Sequence, residues 1–215
     1  MLLKEEEKTR LLTEIHEYID KNCIFRCDPN VVYSEGLEPG KIYGQQPGIR
    51  NTSLFFLRRL MHDNKMLTYV STIILDDMLR KYDSGKDRFF QLCGMESSSI
   101  PLMIGIQAQA AAYGIGMNSF SIRKSRKHYG LFNLIDGKPT EAPVVVVDDL
   151  INSGSSIAYC LDTVKHELDL SPASTVYSII KMNPNMNHLK WNEHTMEVFS
   201  LFDMSRFSMN YSPEK

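Results

Sequence analysis

Two adjacent carboxylates, Asp148 and Asp149, close an unbroken apolar run from Val144 to Val147. After Leu150-Ile151 comes a small polar turn, Asn152-Ser153-Gly154-Ser155-Ser156. Four β-branched residues in succession predict a strand covered on both faces, and Pro143 stands where it can start that strand without removing a ladder bond. In an open α/β sheet, ligands bind beyond the carboxyl ends of the strands, and a helix beginning there offers unpaired backbone amides to an anion. Gly154 would let the backbone approach a phosphate closely, with the hydroxyls of Ser153, Ser155 and Ser156 and the amide of Asn152 as further donors. Carboxylates cannot hold a phosphate. They suit sugar hydroxyls, or a hydrated magnesium ion, next to one. Together the groups specify a phosphorylated sugar.

Two other motifs share an apolar strand followed by acids. A Walker B strand needs a Gly-x-x-x-x-Gly-Lys-[Ser/Thr] partner, and a dinucleotide site needs Gly-x-Gly-x-x-Gly after the first strand; the chain has neither. The plainer alternative is that Asp148 and Asp149 only end a strand and cap a helix.

The run from Val144 to Ser156 resembles the diphosphate-sugar motif of the type I phosphoribosyltransferases: four apolar residues, two acids and a Thr/Ser/Gly-rich turn. The resemblance implies that Asn152, Ser153, Gly154, Ser155 and Ser156 hold the 5-phosphate of 5-phosphoribosyl-1-diphosphate. It also implies that Asp148 and Asp149 face the ribose hydroxyls, with Mg2+ as the cofactor, met directly or through water.

A second group is basic. Arg123-Lys124-Ser125-Arg126-Lys127-His128 places five potentially cationic side chains within six positions. Such a run taken alone is usually a solvated loop or a nucleic-acid contact. In the orotate branch of the family an Arg-Lys pair closes a strand, and a Lys shortly after it sits on a loop covering the diphosphate. Arg123, Lys124 and Lys127 match those positions and are the catalytic candidates together with Asp148 and Asp149. Fixed positive charge would stabilise a departing diphosphate, and loop closure would keep water from competing.

The third group, Glu96-Ser97-Ser98-Ser99 before Ile100-Pro101, is a small polar turn entering a helix with Pro at its start, and so offers a second set of amides. The resemblance makes it the diphosphate loop. Orotate enzymes typically carry Lys and Gly there, where this chain has Ser98 and Ser99 with an added carboxylate at Glu96. Their Lys-x-His in the covering loop is Lys127-x-Tyr129 here, with His128 displaced by one position. The acceptor base is expected over residues 24–52, where Gly40-Lys41 and Tyr43 faintly resemble the family's Ser-Gly-Lys-x-x-x-Tyr pattern.

The elements that must position these groups follow from periodicity. Helices are predicted over residues 2–21, 66–79, 100–113 and 155–167, and strands over 88–93, 118–122, 144–147, 176–181 and 196–202. Residues 123–141 read as a polar connection. Turn residues from Asp28 to Asn51 suggest a hairpin-like hood. This alternation predicts an α/β fold, a mostly parallel central sheet flanked by helices with a small N-terminal hood. A single domain over 1–215 is expected, with the family resemblance covering about 88–182.

The 215 residues suit one enzyme-sized unit, and a net charge of −2 argues against nucleic acid as partner. No window approaches the roughly 18 apolar residues of a membrane span, so a cytoplasmic protein without membrane contact is expected. Cys23, Cys27, Cys93 and Cys160 are too scattered for a disulfide framework, and Cys23 with Cys27 lacks the second pair a structural zinc needs. The family resemblance implies phosphoribosyl transfer to a nitrogenous base, orotate or a related pyrimidine, by a homodimer. Alternatives are a non-catalytic regulator that senses the diphosphate sugar, or an enzyme using a purine or another acceptor.

Overall fold

The computed structural model describes residues 3–44, 49–82, 90–125 and 133–210. In chain order, α1 (Glu5–Tyr18) runs through a π-helical turn (Ile19–Cys23) into β1 (Ile24–Arg26). Three short strands follow, β2 (Ile42–Tyr43), β3 (Arg50–Asn51) and β4 (Ser53–Phe55), then helices α2 (Arg58–Met61) and α3 (Asn64–Tyr82). The central part is β5 (Gln91–Met95), α4 (Ile100–Ala112), β6 (Asn118–Ile122), β7 (Ile135–Gly137), β8 (Val144–Ile151) and α5 (Ser155–His166). It closes with β9 (Thr175–Lys181), β10 (His188–Trp191) and β11 (His194–Asp203).

Seven strands form one sheet in the order β10-β11-β9-β8-β5-β6-β7. Its five inner strands are parallel, and the edge strands β10 and β7 run antiparallel to their neighbours. The α/β fold with a mostly parallel sheet is therefore the one expected from the alternation of elements. The four valines of β8 explain the centre of the sheet. Val145 and Val147 enter the core beneath α1, α3 and α4, while Val144 and Val146 enter the core beneath α5. All four are essentially inaccessible to water, and burial of such a side chain contributes about 1.5–3 kcal/mol.

Some elements differ from expectation. The first strand of the central part lies at Gln91–Met95 rather than 88–93, with residues 88 and 89 outside the described residues. The polar connection contains β7, which pairs with β6. Its Gly137, at φ +113, lies where an added Cβ would come within 2.9 Å of the Phe120 Cβ. The hairpin strand β10 was also not anticipated. Trp191 is buried there and donates its indole N–H to Asp162 Oδ1 at 2.7 Å. Over the expected hood, β1 pairs with β4 and β2 with β3, both antiparallel. No helix among the described residues is long and apolar enough to cross a membrane.

Candidate active site

β5 and β8 are parallel neighbours, with Cys93 beside Val146, so the turns at their carboxyl ends open on the same edge of the sheet. Between these turns lies a cleft of about 640 Å³. It is lined on one side by Asp148, Asp149 and the turn from Asn152 to Ser156, and on the other by Glu96, Ser97 and Ser98. Gly154 caps α5 at φ +80, and a Cβ there would meet Leu189 Cδ1 at 2.4 Å. Glycine thus satisfies both the turn's left-handed backbone and its contact with β10. Ser153 Oγ donates to Ser155 Oγ at 3.1 Å and accepts from the Ser155 amide at 3.4 Å at the start of α5.

The two acids are not equivalent. Asp149 is partly exposed, whereas Asp148 is only 6% exposed. Asp148 Oδ1 accepts from Ser98 Oγ (3.3 Å), Ser99 Oγ (3.2 Å) and the Asp149 amide (2.9 Å). Burial, and then the neighbouring Asp149 charge, push the Asp148 carboxyl up to about 7 despite these bonds. Gly94 permits this approach: a Cβ there would lie 2.6 Å from the Val147 carbonyl oxygen and 2.4 Å from Ser99 Cβ.

Several expected positions are placed differently. Ser99 is fully buried beneath the loop, where its hydroxyl orients Asp148 instead of facing the cleft. Arg123 is absent from the cleft lining, being held by Glu96 (3.0 Å) and Asp136, while Lys124 does line it. Glu96, itself on the cleft wall, and Asp136 thus occupy the Arg123 guanidinium. Lys127 lies outside the described residues. Lys41 pairs with Glu38 at 2.8 Å, and Tyr43 donates to the Glu35 carbonyl with Arg50 over its ring. These local partners keep both residues out of the cleft wall.

The wall on that side is Phe55, Phe56, Leu57 and Arg58, which sequence reasoning passed over. A signal was present: an aromatic pair followed by two arginines beyond the turn-rich segment. Phe56 is 44% exposed with Phe25 edge-on at 6.3 Å, an unusual exposure for a side chain of its size. Leu57, Leu60 and Met61 anchor this segment in the core, and Arg58 Nη2 donates to Ser97 Oγ at 3.0 Å.

The donor set fits a magnesium ion that arrives with phosphate oxygens. Asp148 and Asp149 supply oxygen ligands at the cleft, and among the described residues no three His, Cys, Asp or Glu side chains gather to hold a metal by themselves.

No family model matches the chain. In sequence it is 27% identical, over 133 residues, to the orotate phosphoribosyltransferase of Thiobacillus denitrificans; the match covers 62% of this chain and 60% of that relative's length. In structure it is similar to a phosphoribosyltransferase from Corynebacterium diphtheriae, with TM-score 0.65, 12% identity, and 92% and 98% of the two chains covered. It is also similar to the orotate phosphoribosyltransferase of Mycobacterium tuberculosis H37Rv, with TM-score 0.63, 16% identity, and 91% and 98% covered. The latter enzyme has also been solved with 5-phospho-alpha-D-ribosyl 1-diphosphate. The chain thus has the fold of the type I phosphoribosyltransferases and resembles their orotate branch in sequence.

Proposed function

We propose that the chain transfers the 5-phosphoribosyl group of 5-phosphoribosyl-1-diphosphate to a nitrogenous base, orotate or a related pyrimidine, and releases diphosphate. The observation that carries this proposal is the junction of β8 with α5. An acidic pair, one member buried and the other partly exposed, and a helix N-terminus face one cleft, an arrangement suited to a phosphorylated sugar. The Asn152–Ser156 turn would bind the 5-phosphate through amides and hydroxyls. Asp149, and Asp148 behind it, would accept hydrogen bonds from the ribose hydroxyls.

The loop from Glu96 to Ser98 lies across the cleft, where the diphosphate would extend, and Lys124 adds positive charge at the rim. As the bond to the leaving oxygen breaks, positive charge grows on the ribose ring and negative charge on the diphosphate. Groups fixed before the reaction stabilise both without reorganising. Mg2+, bound through Asp148 and Asp149 directly or by way of water, would supply further neutralisation of the diphosphate. Lys127 is proposed to cover the leaving group from the loop that begins after Lys124. A planar acceptor would stack on Phe56, whose exposed ring forms the hood side of the cleft. A homodimer in the cytoplasm remains part of this proposal by family resemblance.

The test is incubation with Mg2+, 5-phosphoribosyl-1-diphosphate and a panel of pyrimidine and purine bases, with diphosphate release measured. Release with orotate is expected. Tight binding of the diphosphate sugar without release from any base would instead favour a sensor, and release only with purines would reassign the acceptor.

A further inference from the structure

The expected diphosphate loop is anionic, since Glu96-Ser97-Ser98-Ser99 contains no cation. Among the described residues lining the cleft, the charged side chains are Glu96, Asp148 and Asp149 against Arg58 and Lys124. Arg123 offsets Glu96, but its guanidinium is already committed to Glu96 and Asp136 and is absent from the cleft lining. A diphosphate at this loop calls for a cation that lines the cleft and is not already paired with a carboxylate.

Arg58 makes that reach. It lies 39 residues before Ser97 in sequence, yet its Nη2 donates to the Ser97 hydroxyl at 3.0 Å. Its backbone is fixed by the buried neighbours Leu57, Leu60 and Met61. The side chain itself is exposed and, among the described residues, pairs with no carboxylate. One N–H is used on the loop, leaving others of the planar fork for phosphate oxygens, which guanidinium matches in a bidentate manner.

We propose that Arg58 is the diphosphate-binding cation of this protein, supplied from the hood side to a loop that lacks one. The inference rests on the phosphoribosyl-transfer proposal for the same cleft. It adds a residue and a consequence: the group that grips the leaving diphosphate also joins the acceptor wall at Phe56 to the loop, so each side of the cleft is positioned by the other.

The experiment is calorimetric titration of inorganic diphosphate with Mg2+, and separately of ribose 5-phosphate, into the full-length protein and its Arg58→Gln and Arg58→Lys variants. Thermal melting serves as a check that the variants fold. Loss of a charged hydrogen-bonding partner predicts diphosphate affinity about 10–100-fold weaker in R58Q, within about threefold of the parent in R58K, and a shallower salt dependence in R58Q. Ribose 5-phosphate affinity should stay within about twofold, since its phosphate belongs to the α5 turn. Diphosphate affinity unchanged in R58Q, or equally weak in R58Q and R58K, overturns the proposal. If the parent protein binds ribose 5-phosphate but not diphosphate, the Arg58 assignment alone falls. If it binds neither, the proposed function falls with it.

Discussion

Replacing Asp148 by Asn should make the ligand-free protein more stable and less able to hold a sugar. Asp148 is 6% exposed, and its carboxyl sits at about 7 instead of its ordinary 3.8, first because burial strips water from the charge and then because Asp149 lies beside it. A carboxyl with a raised folded-state pKa keeps a proton that the unfolded chain has already released. Folded stability therefore falls as pH rises from about 4 to about 7 and stays low above that interval. At about 1.4 kcal/mol for each pH unit, the interval amounts to at most about 4 kcal/mol of destabilisation at pH 8. Asn keeps an acceptor oxygen for Ser98 Oγ, Ser99 Oγ and the Asp149 amide and carries no charge. D148N should therefore gain about 2–4 kcal/mol at pH 8 and less than about 1 kcal/mol at pH 4. Urea unfolding at the two pH values, with unchanged m, measures the difference. A variant less stable than the parent at pH 8, or with the same advantage at both values, would refute the assignment of a strained carboxylate retained for its ligand. Weaker ribose 5-phosphate binding by D148N completes the expectation, and unchanged affinity would remove Asp148 from the sugar site.

Gly154→Ala should lower the melting temperature by roughly 5–10 °C, because Ala would adopt the φ of +80 with its Cβ against Leu189. Ribose 5-phosphate affinity should fall at least about tenfold as the turn reshapes, and calorimetry that finds both quantities unchanged would contradict the cradle. Phe56→Ala should raise the KM for the acceptor by about tenfold while leaving that for the diphosphate sugar within about twofold, since the exposed ring stands on the acceptor side. Steady-state kinetics with each substrate varied in turn separates the two. Glu96→Gln should tighten Mg-diphosphate binding several-fold by removing a carboxylate from the loop, and a weaker complex in calorimetry would show that the Glu96 pairing with Arg123 matters more than its charge.

The sequence alone carried the central strand and the small-residue turn after it. Four successive valines suit a strand covered on both faces, as at the centre of a parallel sheet between helices, and the acids and small residues after them then emerge at its carboxyl edge. Periodicity likewise placed α3, α4 and α5, whose apolar stripes are continuous. Short edge strands were not legible in the same way. β7 and β10 have only three and four residues, and their ladder partners, not their own patterns, make them strands.

Tertiary structure decided which charges face the cleft. Arg123 and Lys124 are adjacent in sequence, yet one is held by Glu96 and Asp136 while the other lines the site. Ser98 and Ser99 are equally adjacent, yet Ser99 is buried on Asp148 because Gly94 leaves room for it. Phe56 and Arg58 belong to the site only because α2 anchors them beside a loop that follows nearly 40 residues later. Local chemistry is written in the order of residues, but the balance of charge across a cleft depends on elements distant in the chain, and only packing brings those together.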